Sequence, residues 1–199
     1  VCDEVMAGFG RTGKMFAFEH GDIVPDIVTM AKGLTSSYAP LGAMGVSDKI
    51  AAHFQDNVFW GGLTYNAHCL GLATALAAIE VLRDEGMVEN AARMGDVMRS
   101  EMERLQAKHP SIATSRNIGL FGIMDVQKNS KGEPFAGYNQ SHPVMNDLNK
   151  FFWDNGLFTF VHWGSFMCNP PLCITEAQLL EGFEIIDRGL EITDRAFEG

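Results

Sequence analysis

Between Val88 and Lys108, Met94, Val97, Met98, Met102 and Leu105 fall at three- and four-residue steps. That spacing places them on one face of a helix, which Pro110 ends. From Asn66 to Leu82 the chain is rich in Ala and Leu, with small residues on every side. This predicts a helix buried over much of its circumference, interrupted by Gly86. A third helix is expected over His142 to Asn155, with Gly156 as its C′ residue. A fourth opens at Thr175, where Thr175 and Gln178 form a capping box. Ser47 is the expected N-cap of a short helix from Asp48 to Phe54. Between these lie runs with strand character: Val1 to Val5, Asp26 to Met30, Leu41 to Val46, Ile118 to Val126 and Leu157 to Val161. Glycine marks the loops at Gly8 to Lys14 and Gly61 to Thr64, and Asn129 to Gly137 is a turn-rich loop.

The texture changes after the long helix, which sets a domain boundary near residues 86 to 108. The chain starts at Val1, inside an apparent strand end, so it is expected to come from something longer. Its 199 residues are 46% hydrophobic. A globular chain of this size buries roughly 70% of its unfolded surface. The net charge of −10 argues against nucleic acid or an anionic membrane as the main partner. The longest apolar run, Leu70 to Leu82, is too short to span a bilayer and contains Glu80. Four cysteines are too few for a disulfide scaffold, and no signal peptide is visible, so a reduced, cytoplasmic setting is expected. Cys168 and Cys173 lack a second pair to complete a zinc site, and the histidines show no metal-ligand spacing.

Gly8-x-Gly10-x-x-Gly13 matches the dinucleotide fingerprint, and with Lys14 nearly matches a phosphate loop. Both motifs require a helix that begins at the glycines. Gly21 and Pro25 leave no room for one, so the glycines are expected to serve a tight turn. A quieter pair carries more chemistry. Asp3 and Lys32 each close a strand, so one acid and one lysine can enter a single crevice. That pair suits pyridoxal phosphate: the lysine forms a Schiff base, and the acid keeps the pyridine nitrogen protonated.

The wording around this pair is more specific than its spacing. Asp3-Glu4-Val5, then Gly8-Phe9-Gly10-Arg11-Thr12-Gly13, then Pro25 to Gly33, closely resembles the class III, or omega-amino-acid, aminotransferases. Gly61-Gly62-Leu63-Thr64-Tyr65 resembles that family's phosphate-reaching loop, and Asn169-Pro170-Pro171-Leu172 its C-terminal segment. The resemblance implies an α/β fold of the type I transferase class. Residues 1 to 95 would be the second half of a large cofactor domain with a mostly parallel sheet. Residues 96 to 199 would be a small C-terminal α/β domain. It further implies that Lys32 binds pyridoxal phosphate as a Schiff base and that Asp3 pairs with the pyridinium nitrogen. Val5 would pack on one ring face. Thr64 would bind the cofactor phosphate in the neighbouring subunit of a homodimer, so that the active site is shared. The activity implied is amino transfer from an omega-amino acid, a taurine-like compound or an amine to an oxo acid, with pyruvate as acceptor. Mutase, decarboxylase or epimerase chemistry on the same fold, or a catalytically silent fragment, are the alternatives.

One departure concerns substrate recognition. Many relatives carry an arginine about ten residues before the Pro-Pro pair, where it clamps a carboxylate. Here no arginine lies between Arg116 and Arg188, and the corresponding stretch is Phe158-Thr159-Phe160-Val161-His162-Trp163. His162 is a candidate substitute, with a purely structural role beside Trp163 as the alternative.

Overall fold

Strands β1 (Cys2–Asp3) and β2 (Ile27–Met30) run parallel, with Cys2 opposite Val28 and Asp3 opposite Thr29. Strand β3 (Ala43–Val46) joins the other side of β2 antiparallel, giving a three-stranded sheet of order β1-β2-β3. The sheet is therefore mixed rather than parallel throughout. The computed structural model describes every residue, Val1–Gly199. The chain divides into two compact units, Val1–Ala91 and Ala92–Gly199.

In the first unit, the predicted short helix is α1 (Asp48–His53) behind Ser47. The Ala/Leu-rich stretch forms α2 (Cys69–Asp84), capped by the His68 ring, which accepts from Leu70 N–H. The expectation that α2 is buried over most of its circumference is not met. Only Gly71, Ala75 and Leu82 are buried, while Leu70, Leu72, Leu76 and Val81 stand exposed. A helix that is apolar all round needs cover on every side. In this unit its buried side faces Leu41, which approaches Gly71, and the short turn that follows β2.

Helix α3 (Met87–Lys108) follows Gly86, whose backbone is left-handed (φ +61°). Met94, Met98, Met102 and Leu105 are buried, as their spacing predicts. In the second unit, β4 (Ile112–Ile118) and β5 (Phe121–Val126) form a hairpin turned at Gly119-Leu120. The strand expected from Ile118 to Val126 is β5, and Ile118 instead ends β4, a strand not expected from the sequence because Thr114, Arg116 and other polar residues separate its apolar positions. Helix α4 (Pro143–Asp154) follows, and Gly156 beyond it is left-handed (φ +82°). The strand expected over Leu157 to Val161 shrinks to β6 (Val161–His162). Its hairpin partner β7 (Ser165–Cys168) was not anticipated. The sheet order is β4-β5-β7-β6, all antiparallel. Helix α5 (Glu176–Arg195) opens on the expected Thr175–Gln178 capping box.

The second unit has a closed core. Leu120, Met124, Leu148, Phe152, Phe166 and Leu190 are all essentially inaccessible. Phe152 of α4 meets Phe166 of β7 edge-on at 5.5 Å between ring centroids, joining helix to sheet. Cys168 lies in the same core, and burial pushes its thiol up to about 12. The four cysteines are all free thiols. No helix is long and apolar enough to cross a membrane.

Candidate active site

The parallel pairing of β1 and β2 brings two side chains to one end of the sheet. Asp3 is the last residue of β1, and Lys32 follows the last residue of β2 by two positions. Both are exposed. Asp3 is oriented by two donors: Val5 N–H reaches its Oδ1 at 3.0 Å, and Thr29 Oγ1 reaches the same oxygen at 3.2 Å. Its carboxylate has no cationic partner among the ion pairs of the chain. Lys32 likewise makes no ion pair, and its Nζ lies against the thioether sulfur of Met6.

Lys32 also has an unusual backbone. Its φ of +42° lies in the left-handed region, as do those of Ser36 (+48°) and Ser37 (+66°). Such a conformation costs a non-glycine residue roughly 1–2 kcal/mol, so neighbouring structure must impose it. A 3₁₀ turn over Lys32–Leu34 does so, with Leu34 N–H bonded to Ala31 at 2.9 Å. Gly33 lies against Phe9, and a Cβ there would stand 2.9 Å from the Phe9 Cβ. Thr35 is buried, and its hydroxyl donates to the Ala39 carbonyl at 2.7 Å.

The glycine-rich loop is a series of turns, with Gly10 at φ +93° and Gly13 at φ +80°. It leads into a 3₁₀ turn at Ala17–Gly21, not into a helix that could cradle phosphate. The N–H groups that open this turn are already used: Ala17 and Phe18 donate to the Glu4 carboxylate at 3.0 and 2.9 Å. Glu4 is 2% exposed and thus braces the loop from within. Sequence reasoning missed both this brace and Thr29.

The structure thus brings together Asp3, Val5 and Lys32, with Val5 contributing its backbone N–H and a half-buried side chain. Thr64 lies exposed in the loop before α2, and no hydrogen bond ties it to Asp3 or Lys32. His162 sits at the β6–β7 turn of the second unit, exposed, its ring 4.0 Å from that of Trp163 and 5.0 Å from that of Phe160. No group of three or more His, Cys, Asp or Glu side chains is placed to hold a metal ion.

The donor set fits one cofactor class. A primary amine can capture an aldehyde, and a carboxylate without a counter-ion can face a protonated heterocycle. Adjacent strand ends deliver the two, where ligands of open α/β sheets bind. Pyridoxal phosphate needs both groups.

Comparison with known proteins agrees. The class III aminotransferase family model matches residues 1–190. Taurine–pyruvate aminotransferase of Bilophila wadsworthia is 40% identical over 219 residues, covering 99% of this chain and 45% of that protein. Putrescine–pyruvate aminotransferase of Pseudomonas aeruginosa is 32% identical, covering 98% of this chain and 42% of its own length. The crystal structure of taurine:2-oxoglutarate aminotransferase from Bifidobacterium kashiwanohense, in complex with pyridoxal phosphate and glutamate, superposes with a TM-score of 0.94 at 38% identity. That match covers 98% of this chain and 44% of the other. The chain spans less than half the length of these relatives.

Proposed function

We propose, from the premise that the chain belongs to the class III aminotransferase family, that it is the lysine-bearing portion of a pyridoxal-phosphate-dependent transaminase. The fold is the α/β fold of its transaminase neighbours. Residues 1 to 95 are the second half of the cofactor domain in this reading, and residues 96 to 199 the small C-terminal domain. The amino donor is an omega-amino acid, a taurine-like sulfonate or an amine, and the acceptor an oxo acid such as pyruvate. The names of the relatives support that range. The working enzyme is a cytoplasmic homodimer in which Thr64 binds the cofactor phosphate of the neighbouring subunit.

The observation that carries the reading is the pairing of Asp3 and Lys32 at the ends of adjacent parallel strands, each without an ionic partner. Pyridoxal phosphate, when bound, supplies the electron sink that lets a proton leave the donor carbon. Lys32 holds the cofactor through its ε-amine. The same ε-amine would move the proton of the donor carbon, as general base and then acid. Asp3 holds the ring nitrogen protonated, and Val5 N–H and Thr29 Oγ1 fix the carboxylate for that task. Val5 packs against one ring face.

The test is amino transfer itself. The intact protein is incubated with pyruvate and with taurine, β-alanine or putrescine, and alanine is quantified. Alanine formed in step with consumption of one donor supports the reading. Donor consumption without alanine would favour other chemistry on the same fold. Lys32→Ala is expected to lower the rate at least about a thousandfold, and Asp3→Asn roughly a hundredfold or more.

A further inference from the structure

Helix α4 sorts its polar residues into two stripes. Asp147, Lys150 and Asp154 share one, and Lys150 pairs with Asp154 along it at 2.5 Å. The N-cap His142 shares the other with Asn146 and Asn149, spaced four and three residues on, and neither asparagine carries a charge. This second stripe lines a cavity of about 340 Å³ in the second unit. Val161, His162 and Trp163 line it from the β6–β7 hairpin, and Asn139 and Gln140 from the loop before α4. The volume falls within the range of small-molecule sites, about 300–1,000 Å³. No Asp, Glu, Lys or Arg lines it, although one residue in five of the chain is charged.

The hydrogen-bonding groups of this lining are open. The side-chain amides of Asn139, Gln140, Asn146 and Asn149 make no hydrogen bond within the chain. His142 Nδ1 accepts from Val144 N–H at 3.3 Å, so the neutral ring carries its proton on Nε2, a donor without a partner. Each carboxamide presents N–H donors and a carbonyl acceptor together. An anion would leave the carbonyl oxygens facing negative charge, and a cation would leave the N–H groups unpaired. A hydroxyl both donates and accepts, and so matches both halves of an amide. The Trp163 ring is already packed by His162 at 4.0 Å and Tyr138 at 4.5 Å, which leaves a planar heterocycle little stacking surface. We propose that this cavity binds a small neutral polyhydroxylated molecule, a monosaccharide or cyclic polyol, through the amides of Asn146 and Asn149 and the Nε2–H of His142. The site uses residues of Ala92–Gly199 alone and does not rest on the role of Lys32.

The experiment is saturation-transfer NMR of the intact protein, titrated with D-glucose and with myo-inositol. We expect a saturable signal from one or both, with a midpoint of about 0.1–10 mM. Asn146→Ala and Asn149→Ala should each weaken binding roughly three- to tenfold, the range of one lost hydrogen bond. Both side chains are exposed, so neither substitution disturbs the core. Lys150→Ala, on the charged stripe, should leave binding unchanged. The absence of a saturable signal from either polyol would overturn the proposal. Binding that survives in both asparagine variants, or that weakens equally in Lys150→Ala, would overturn the assignment to this cavity. Displacement of the polyol by lower concentrations of taurine or of adenine would overturn the ligand class, in favour of a charged or a planar ligand.

Discussion

The two units of this chain solve different problems. Ala92–Gly199 closes its own core: its large apolar side chains interdigitate, and its buried polar groups are paired. His109, 2% exposed, shows the pattern, with Nδ1 2.6 Å from Asp194 and Nε2 2.9 Å from Asp187. Ser111 and Thr193 complete that network with a 2.7 Å bond between their hydroxyls. Val1–Ala91 also pairs its buried polar groups but leaves a long helix and the loop before it largely uncovered. Trp60 is 91% exposed, and Leu63, Tyr65, Leu70 and Leu76 are also open to solvent. Its backbone is left-handed at Lys32, Ser36 and Ser37. Asp3 and Lys32, the residues proposed to hold the cofactor, make no ion pair there. One unit is closed over its core, and the other carries the residues proposed to hold the cofactor.

Substitutions can break that contrast from either side. The largest expected effect on folding is in the closed unit. Phe152→Ala removes a side chain packed edge-on against Phe166 and should cost about 3–5 kcal/mol in urea unfolding. A loss below about 1 kcal/mol would mean that the core is looser than its packing indicates.

A smaller effect is expected at the brace beneath the site. Glu4→Gln leaves one amide oxygen to serve the two N–H groups of Ala17 and Phe18, and should cost about 1–3 kcal/mol. Hydrogen exchange at those two amides should accelerate. Unchanged exchange would show that the loop holds its shape without Glu4.

The smallest effect concerns acid. Burial acts to raise the Asp187 carboxyl, but hydrogen bonds from Lys108, Arg104 and His109 outweigh it and hold the group well below the usual carboxylate range. The folded state therefore binds this proton more weakly than the unfolded chain does. The resulting stabilisation is fully present above the ordinary value of 3.8 and is lost as pH falls through the depressed folded value. Asp187→Asn should flatten the acid limb of the stability curve. An identical limb would assign acid sensitivity to other groups.

The contrast between units also explains what could be read from the sequence. Helices α3, α4 and α5 were legible because periodic apolar faces and terminal signals agree locally, as in the Thr175–Gln178 box. Strands β4 and β7 were not. The apolar residues of β4 are too sparse to stand out, and β7 is entered through a turn whose left-handed residue is Trp163 (φ +53°) and not the adjacent Gly164. The exposure of α2 could not be inferred either, because composition records how much cover a helix needs and not whether it receives it. Asp3 and Lys32 were legible as chemistry and from their resemblance to the family. Thr29 was not, since it reaches Asp3 only through the β1–β2 register. Glu4 lay hidden beside Asp3. Successive residues of an extended strand face opposite sides, so one acid of the pair is exposed while the other is buried. Which of the two turns inward depends on the loop that packs behind it.

The central claim is that Lys32 is the residue that takes the cofactor, and mapping the covalent adduct tests it most directly. The intact protein, purified with its cofactor, is reduced with borohydride, digested and mapped by mass spectrometry. The account predicts one reduced pyridoxyl-phosphate group per chain, on the peptide containing Lys32. An adduct on Lys14, Lys49 or any other lysine, or a cofactor-loaded protein whose Lys32 peptide is unmodified after reduction, would contradict it.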